Sequence, residues 1–288
     1  MSSSPVAVES VQADASKKVY FLPSDSEERK RLAIQHNLVL SGSGGKHIHA
    51  PVGLESISAV LETATGSGIW LEEVAKQLPS TAELFGVDLS PNLFPASPPL
   101  NIRFLQGSVL ELPKEWTNKF DLVHQRLLVA GLRKEEWFKA LGEIYRVLKP
   151  GGWFQLYEIV EWEKSGPAQK KIGELMTVLF EARGVERPWL NGGAHWQKYM
   201  EEAGFKDLRV TWHGWPMGRW AGEEGLLGKE SQLGFLRGVK APVLKAGGFG
   251  IIKGEEDFDE LVAEVGKELD NVDGTRMRCI MICGQKPE

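Results

Sequence analysis

Strands alternating with helices from residue 58 onward predict an α/β fold built on a parallel, doubly wound sheet. Two stretches support this. "VLETATGSGIWLEEVA" (Val60–Ala75) reads as a strand, a tight glycine loop and the start of a helix. About twenty residues on, "ELFGVDLS" ends a second strand in an acid, Asp88, the spacing at which nucleotide-binding sheets place a ribose-binding carboxylate.

Taken in chain order, residues 1–18 are rich in Ser, Ala and Val without periodicity and are expected to be disordered. Ser24 and Glu27 have the spacing of a capping box, so a helix is expected from about Asp25 to Leu40, broken by "SGSGGKH". Strands follow at Ala59–Glu62, Glu83–Asp88, Ile102–Gln106, Phe120–His124 and Trp153–Ile159. Helices lie between them at Ile69–Leu78 and Glu135–Leu148; in the second, Trp137, Leu141, Ile144, Tyr145 and Leu148 recur at helical spacing. "LKPGGW" stops that helix with a proline and two glycines. Beyond Ile159 the pattern is less regular. Helices at Ala168–Arg183 and His195–Ala203 lead to a strand at Leu208–Trp212. A Gly- and Trp-rich excursion, Trp215–Gly250, precedes a helix at Glu255–Asp270 and a last strand at Arg276–Cys283.

Composition excludes several functions. The 288 residues are 42% hydrophobic and 25% charged, ordinary for a globular chain with a sizeable core. A net charge of −5 and the lack of a Lys/Arg stripe argue against a general nucleic-acid binder. No apolar run approaches the roughly 18–20 residues that span a bilayer, so no membrane partner is expected. Cys279 and Cys283 stand about 13 Å apart along one strand, too far for a disulfide, and two buried thiols fit a reducing compartment. The N-terminus carries no secretory pattern, so the cytoplasm is expected, with the nucleus left open. "HIH" at His47–His49 has no acidic or cysteine cluster beside it, so no metal is expected.

Ligands of such sheets bind at the carboxyl ends of the strands. The loop after the first strand follows G-x-G-x-G, with Ala64 in the first place and then Gly66 and Gly68. An alanine there is acceptable if its φ is negative. The third strand ends at Gly107–Ser108–Val109, where an adenine edge could be read, and the fourth places His124, Gln125 and Arg126 at its end.

These segments together resemble the class I S-adenosylmethionine-dependent methyltransferases, in particular the fungal LaeA-like branch. "YFLPSDSEERKRLAIQH", "VLETATGSGIW", "GVDLSP", "PPLNIRF", "FDLVHQRLL", "LKPGGW" and the closing "CGQKP" fall in that family's order, covering about Tyr20 to Pro287. The resemblance implies a Rossmann-like doubly wound seven-stranded sheet with an antiparallel last strand. An N-terminal helical lid (19–50) and insertions in the C-terminal half would complete it. It implies one domain over 19–288, with a cofactor-binding half at 58–160 and a substrate-side half at 161–288 carrying an insertion at about 213–254.

Position by position, the resemblance places Glu62, Thr63, Ala64, Thr65 and Gly66 along the methionine half of S-adenosylmethionine. Glu62 stands where the family usually has Asp. Asp88 and Leu89 would hold ribose and adenine, and Ser108 and Val109 would flank the base. His124 and Gln125 would close over the sulfonium, and Tyr20 would act as part of the lid. S-adenosylmethionine has no pyrophosphate, so a methyl group at Ala64 is tolerable in this family.

The expected activity is methyl transfer to oxygen or nitrogen of a small-molecule acceptor, a secondary metabolite, by a monomer or homodimer. His124 is the candidate base or orienting residue, and Glu158, ending the fifth strand, is placed to face the substrate. Arg126 either binds a substrate carboxylate or makes a salt bridge within the fold. His36 and Gln35 are read as packing residues of the first helix. Trp189 and Trp215, among ten tryptophans, are candidates for an aromatic acceptor pocket. Two other readings stay open: a LaeA-like regulator acting through protein partners, and a cyclase of the same fold that binds the cofactor without spending its methyl.

Overall fold

The strand before the glycine loop, β1 (Ala59–Thr63), is buried at every position and pairs in parallel on both sides. Its alternate side chains feed two cores, Val60 toward one face of the sheet and Leu61 toward the other. Central strands of a parallel sheet are covered on both faces, which is why this one is so uniformly apolar up to Glu62. The computed structural model describes residues 22–187 and 189–288, so the expected disordered tail lies outside the described residues.

To one side of β1 lie β2 (Glu83–Asp88) and then β3 (Ile102–Gln106); to the other lie β4 (Phe120–Arg126) and β5 (Leu148–Glu163). β7 (Arg276–Gln285) runs antiparallel between β5 and β6 (Lys206–Pro216), giving the order β3-β2-β1-β4-β5-β7-β6. This is the seven-stranded Rossmann-like sheet with an antiparallel last strand. The strand order reverses between β1 and β4, which opens a crevice at their carboxyl ends.

α3 (Glu136–Val147) and α5 (Ala194–Glu202) cover one face through Trp137, Leu141, Ile144, Trp196 and Met200. The other face carries α1 (Ser26–Gly42), α2 (Ile69–Ala75), α4 (Pro167–Ala182), α6 (Gly222–Lys245) and α7 (Glu255–Asn271). Leu38, Trp70, Leu175, Leu236 and Val265 come from those five helices.

Three expectations are corrected. Asp25, not Ser24, caps α1: its Oδ1 accepts from the Glu28 amide at 2.9 Å. β5 begins at Leu148, so "LKPGGW" ends the helix but already belongs to the strand. The largest difference is α6, a helix of 24 residues where the sequence suggested an irregular excursion. Its glycines look like helix breakers in sequence, yet they allow close approach. A Cβ on Gly228 would stand 2.1 Å from the Pro216 carbonyl oxygen, and one on Gly225 would stand 2.0 Å from that of Gly218. The helix lies against backbone, and only glycine leaves room for it.

Candidate active site

The chain leaves β1 through a loop whose first, third and fifth places all have left-handed backbone: Ala64 at φ 52°, Gly66 at 56° and Gly68 at 76°. The condition under which an alanine sits here without strain, a negative φ, is therefore not met. The same turn that glycine accommodates is made here by a residue with a Cβ, at a cost of roughly 1–2 kcal/mol. The loop is pinned on both sides: the Thr65 amide donates to the Val87 carbonyl at 3.0 Å, and the Gly66 amide donates to Asp88 Oδ2 at 2.8 Å. Asp88 Oδ1 accepts from the Ser90 amide at 2.9 Å, so this carboxylate organises the loops after both β1 and β2.

A cavity of about 1160 Å³ opens at this end of the sheet. Of the residues expected at the site, Ala64, Thr65, Gly66, Asp88, Leu89, Ser108, Val109, Arg126, Trp189 and Trp215 line it. Ser108 Oγ accepts from the Leu110 amide at 3.2 Å, turning the chain beside the cavity. Trp189 stacks on Phe180, with ring centroids 5.9 Å apart and planes 18° apart.

Glu62 sits behind this wall, 1% exposed. Its Oε2 accepts from Thr65 Oγ1, and its Oε1 lies 3.9 Å from Arg126 Nε with no hydrogen-bond partner among the described residues. Burial pushes its pKa up to about 7, against the pull of Arg126 and the Thr65 hydroxyl. Arg126 turns its other arm to α1, where Nη1 donates to His36 Nδ1 at 3.1 Å. Burial first and Arg126 second hold His36 down at about 3, so its ring is neutral and accepts. His36 thus lines the cavity as part of an ionic chain, a role its spacing on the helix did not signal.

Thr63, Gln125, His124 and Glu158 do not line the cavity. Thr63 and Gln125 bond to each other at 3.0 Å on the opposite face of the sheet. His124 stands directly opposite Glu62 on β4 and points the same way, but it is stacked on Trp70 at 4.0 Å, with Nδ1 3.2 Å from Gln155 Nε2. Burial holds its pKa well below the usual histidine range. A ring packed this way has no path to an acceptor's proton, which corrects the expectation of a base. Glu158 is also fully buried; its carboxyl accepts from the Leu128 amide at 2.8 Å and the Val129 amide at 3.3 Å. It anchors the loop after β4 and does not face the substrate space. Burial raises its pKa to about 8. Tyr20 lies outside the described residues.

Residues 60–152 match the family described as a methyltransferase domain. N-methyltransferase sirN of Leptosphaeria maculans is 32% identical over 285 residues, covering 95% of this chain and 97% of its own. The chain belongs to the class I S-adenosylmethionine-dependent methyltransferases. N-methyltransferase gliN of Aspergillus fumigatus is 30% identical over 287 residues, covering 94% of this methyltransferase and 98% of its own length. Among solved structures, the methyltransferase in complex with the Haloferax volcanii Trm112 activator superposes with a TM-score of 0.52 at 16% identity, covering 90% of this chain and 94% of that one.

The residues present fit this methyltransferase's cofactor, S-adenosylmethionine. Glu62 Oε1 is a buried carboxylate oxygen in want of a cationic or donor partner, and the cofactor brings an ammonium group. The two arginines of the cavity wall are already engaged, Arg31 by Glu28 and Arg126 by His36 and Glu62. Neither waits for a diphosphate, which suits a cofactor without one. The tertiary structure adds wall residues that no motif revealed: Ser231, Gln232 and Phe235 of α6, and Trp162 at the end of β5.

Proposed function

We propose that this methyltransferase methylates a nitrogen of a small molecule of secondary metabolism. The full-length similarity to sirN and gliN, both named N-methyltransferases, carries this reading. The geometry supports it. The two side chains that the sequence offered as acceptor-side catalysts, His124 and Glu158, are turned away from the cavity, and a nitrogen with a free lone pair needs no base.

Bound S-adenosylmethionine supplies a methyl already activated on a sulfonium, so the protein's task is alignment and exclusion of water. In our reading Thr65, Ala64 and Gly66 shape the methionine end, with Glu62 receiving the ammonium and Arg126 favouring the ionised form of that carboxylate against the effect of burial. Asp88 and Leu89 hold the ribose and adenine, and Ser108 and Val109 flank the base. Thr63 and Gln125 brace β1 against β4 behind them. Trp189 and Trp215 belong to the acceptor side. We place the chain in the LaeA-like branch on its motif order, and in the cytoplasm on its two buried free thiols.

Two measurements test this. Titration calorimetry should show binding of S-adenosylmethionine and of its demethylated product. In a strain lacking the gene, a metabolite lighter by one CH₂ unit should accumulate, with the missing methyl assigned to nitrogen by NMR. A methyl missing from oxygen would overturn the nitrogen assignment.

A further inference from the structure

The acceptor side of the cavity has a built polar edge. Trp162 of β5 pairs with Met277 of β7, which pairs in turn with Trp215 of β6. Directly opposite residues share a face of the sheet, so these three form one apolar row, and all three line the cavity. α6 crosses this row at Gly228, where a Cβ would stand 3.2 Å from Trp215 Cδ1. Ser231 and Gln232 follow three and four residues later, on the same face of the helix and one turn along.

Both side chains line the cavity although they are only 4% and 6% exposed. Neither side chain hydrogen-bonds to a described residue. Trp162 Nε1 is likewise buried without a partner among the described residues. Polar groups this deep are ordinarily satisfied, so three together on one cavity wall mark a place for a ligand's polar atoms.

None of these three side chains is charged; Lys170 and Glu174 of α4, charged residues of the lining, are exposed. Arg31 also lines the cavity and packs on α6 at Gly234, but Glu28 holds its guanidinium through two hydrogen bonds of 2.7 Å. An ionised ligand group set against Ser231, Gln232 and Trp162 would lose its hydration with no countercharge among the three. The Gln232 amide offers a donor and an acceptor side by side, the Ser231 hydroxyl offers both, and the Trp162 indole offers a donor.

We propose that Gln232, with Ser231 and Trp162, forms the specificity subsite for the methyl acceptor. It takes an uncharged group that both donates and accepts hydrogen bonds, carried on a flat apolar body that lies along Trp162, Met277 and Trp215. The proposal rests on the reading of this cavity as the methyl-transfer site and adds the chemical class of the acceptor to it.

The test uses the full chain saturated with S-adenosylhomocysteine and three naphthalene probes of equal bulk. Naphthamide donates and accepts, acetonaphthone only accepts, and naphthoate is ionised. Calorimetry should rank naphthamide roughly tenfold tighter than acetonaphthone, the scale of one neutral hydrogen bond, with naphthoate weakest. Gln232→Met, which keeps volume and loses the amide, should bring naphthamide to the level of acetonaphthone while S-adenosylhomocysteine affinity is unchanged. Ser231→Ala should shrink the same difference in part.

Naphthoate binding as tightly as naphthamide in the wild type overturns the proposal, whatever Gln232→Met does to folding. So does a Gln232→Met protein that keeps the full preference, or a wild type loaded with S-adenosylhomocysteine that binds no naphthamide. A wild type that fails to bind S-adenosylhomocysteine brings down the reading of the site itself and the subsite with it.

Discussion

Arg126 Nη1 donates to His36 Nδ1 across 3.1 Å, which ties the first helix to the carboxyl end of β4. The bond needs a neutral imidazole, because a protonated ring has no lone pair to offer. The same guanidinium reaches toward Glu62, so α1, β4 and β1 meet through one side chain.

His36→Gln keeps an acceptor near Arg126 and is expected to retain most of the affinity for S-adenosylmethionine. His36→Leu leaves that arm of a largely buried guanidinium unpaired and should cost about 1–3 kcal/mol of stability. The pH dependence has a definite sign. His36 titrates near 3 when folded, below its unfolded value of 6.5, so the neutral ring's contribution is complete above 6.5 and drains away as pH falls toward 3. Thermal midpoints measured over that window should fall more steeply for the wild type than for His36→Gln. Parallel curves would show that His36 does not carry this linkage.

Glu62 titrates upward, to about 7. The folded pKa lies above the usual carboxylate value, so its effect on stability is most favourable at acid pH and is lost as pH rises through about 7. Cofactor binding runs the other way, since only the ionised carboxylate attracts an ammonium. Affinity for S-adenosylmethionine should therefore weaken as pH drops below about 7. Glu62→Gln should bind weakly and show a flatter profile, because a neutral amide neither titrates nor attracts an ammonium. A wild-type affinity independent of pH would count against Glu62 as the ammonium's partner.

Ala64 makes a left-handed turn at φ 52°. Ala64→Gly removes a Cβ strain of roughly 1–2 kcal/mol but adds about 0.5–1 kcal/mol of unfolded-state entropy, so a small net gain in stability is expected by denaturant titration. Ala64→Val, with a branched Cβ in the same turn, should be clearly destabilised. If Ala64→Val melts with the wild type, the loop does not hold the backbone described here.

Gly228 separates α6 from the Pro216 carbonyl. Gly228→Ala should cost about 1–3 kcal/mol by overpacking and disturb Trp215 beside it. Gly142 of α3 is the internal contrast, since a Cβ there meets nothing within 4 Å. Gly142→Ala should instead stabilise by up to about 1 kcal/mol through helix propensity. Urea midpoints of the two variants should move in opposite directions.

The β–α alternation, the loop after β1, Asp88 at the end of β2 and the family were all legible in the amino-acid sequence. Each is a local pattern, fixed by apolar periodicity or by turn chemistry within a few residues. The sign of φ at Ala64 emerged only from the folded chain, because a Cβ's tolerance depends on how the whole loop is pinned to Val87 and Asp88. The fold also removed His124 and Glu158 from the cavity, since a strand's end does not say which neighbours claim its side chains. α6 was hidden for a related reason: its glycines serve backbone on other elements, Gly218 and Pro216. With α6 came Ser231 and Gln232, and α1 brought His36 to Arg126. These groups are distant in sequence and meet only because the sheet and its covering helices bring them to one wall. A chain read residue by residue carries no record of that meeting.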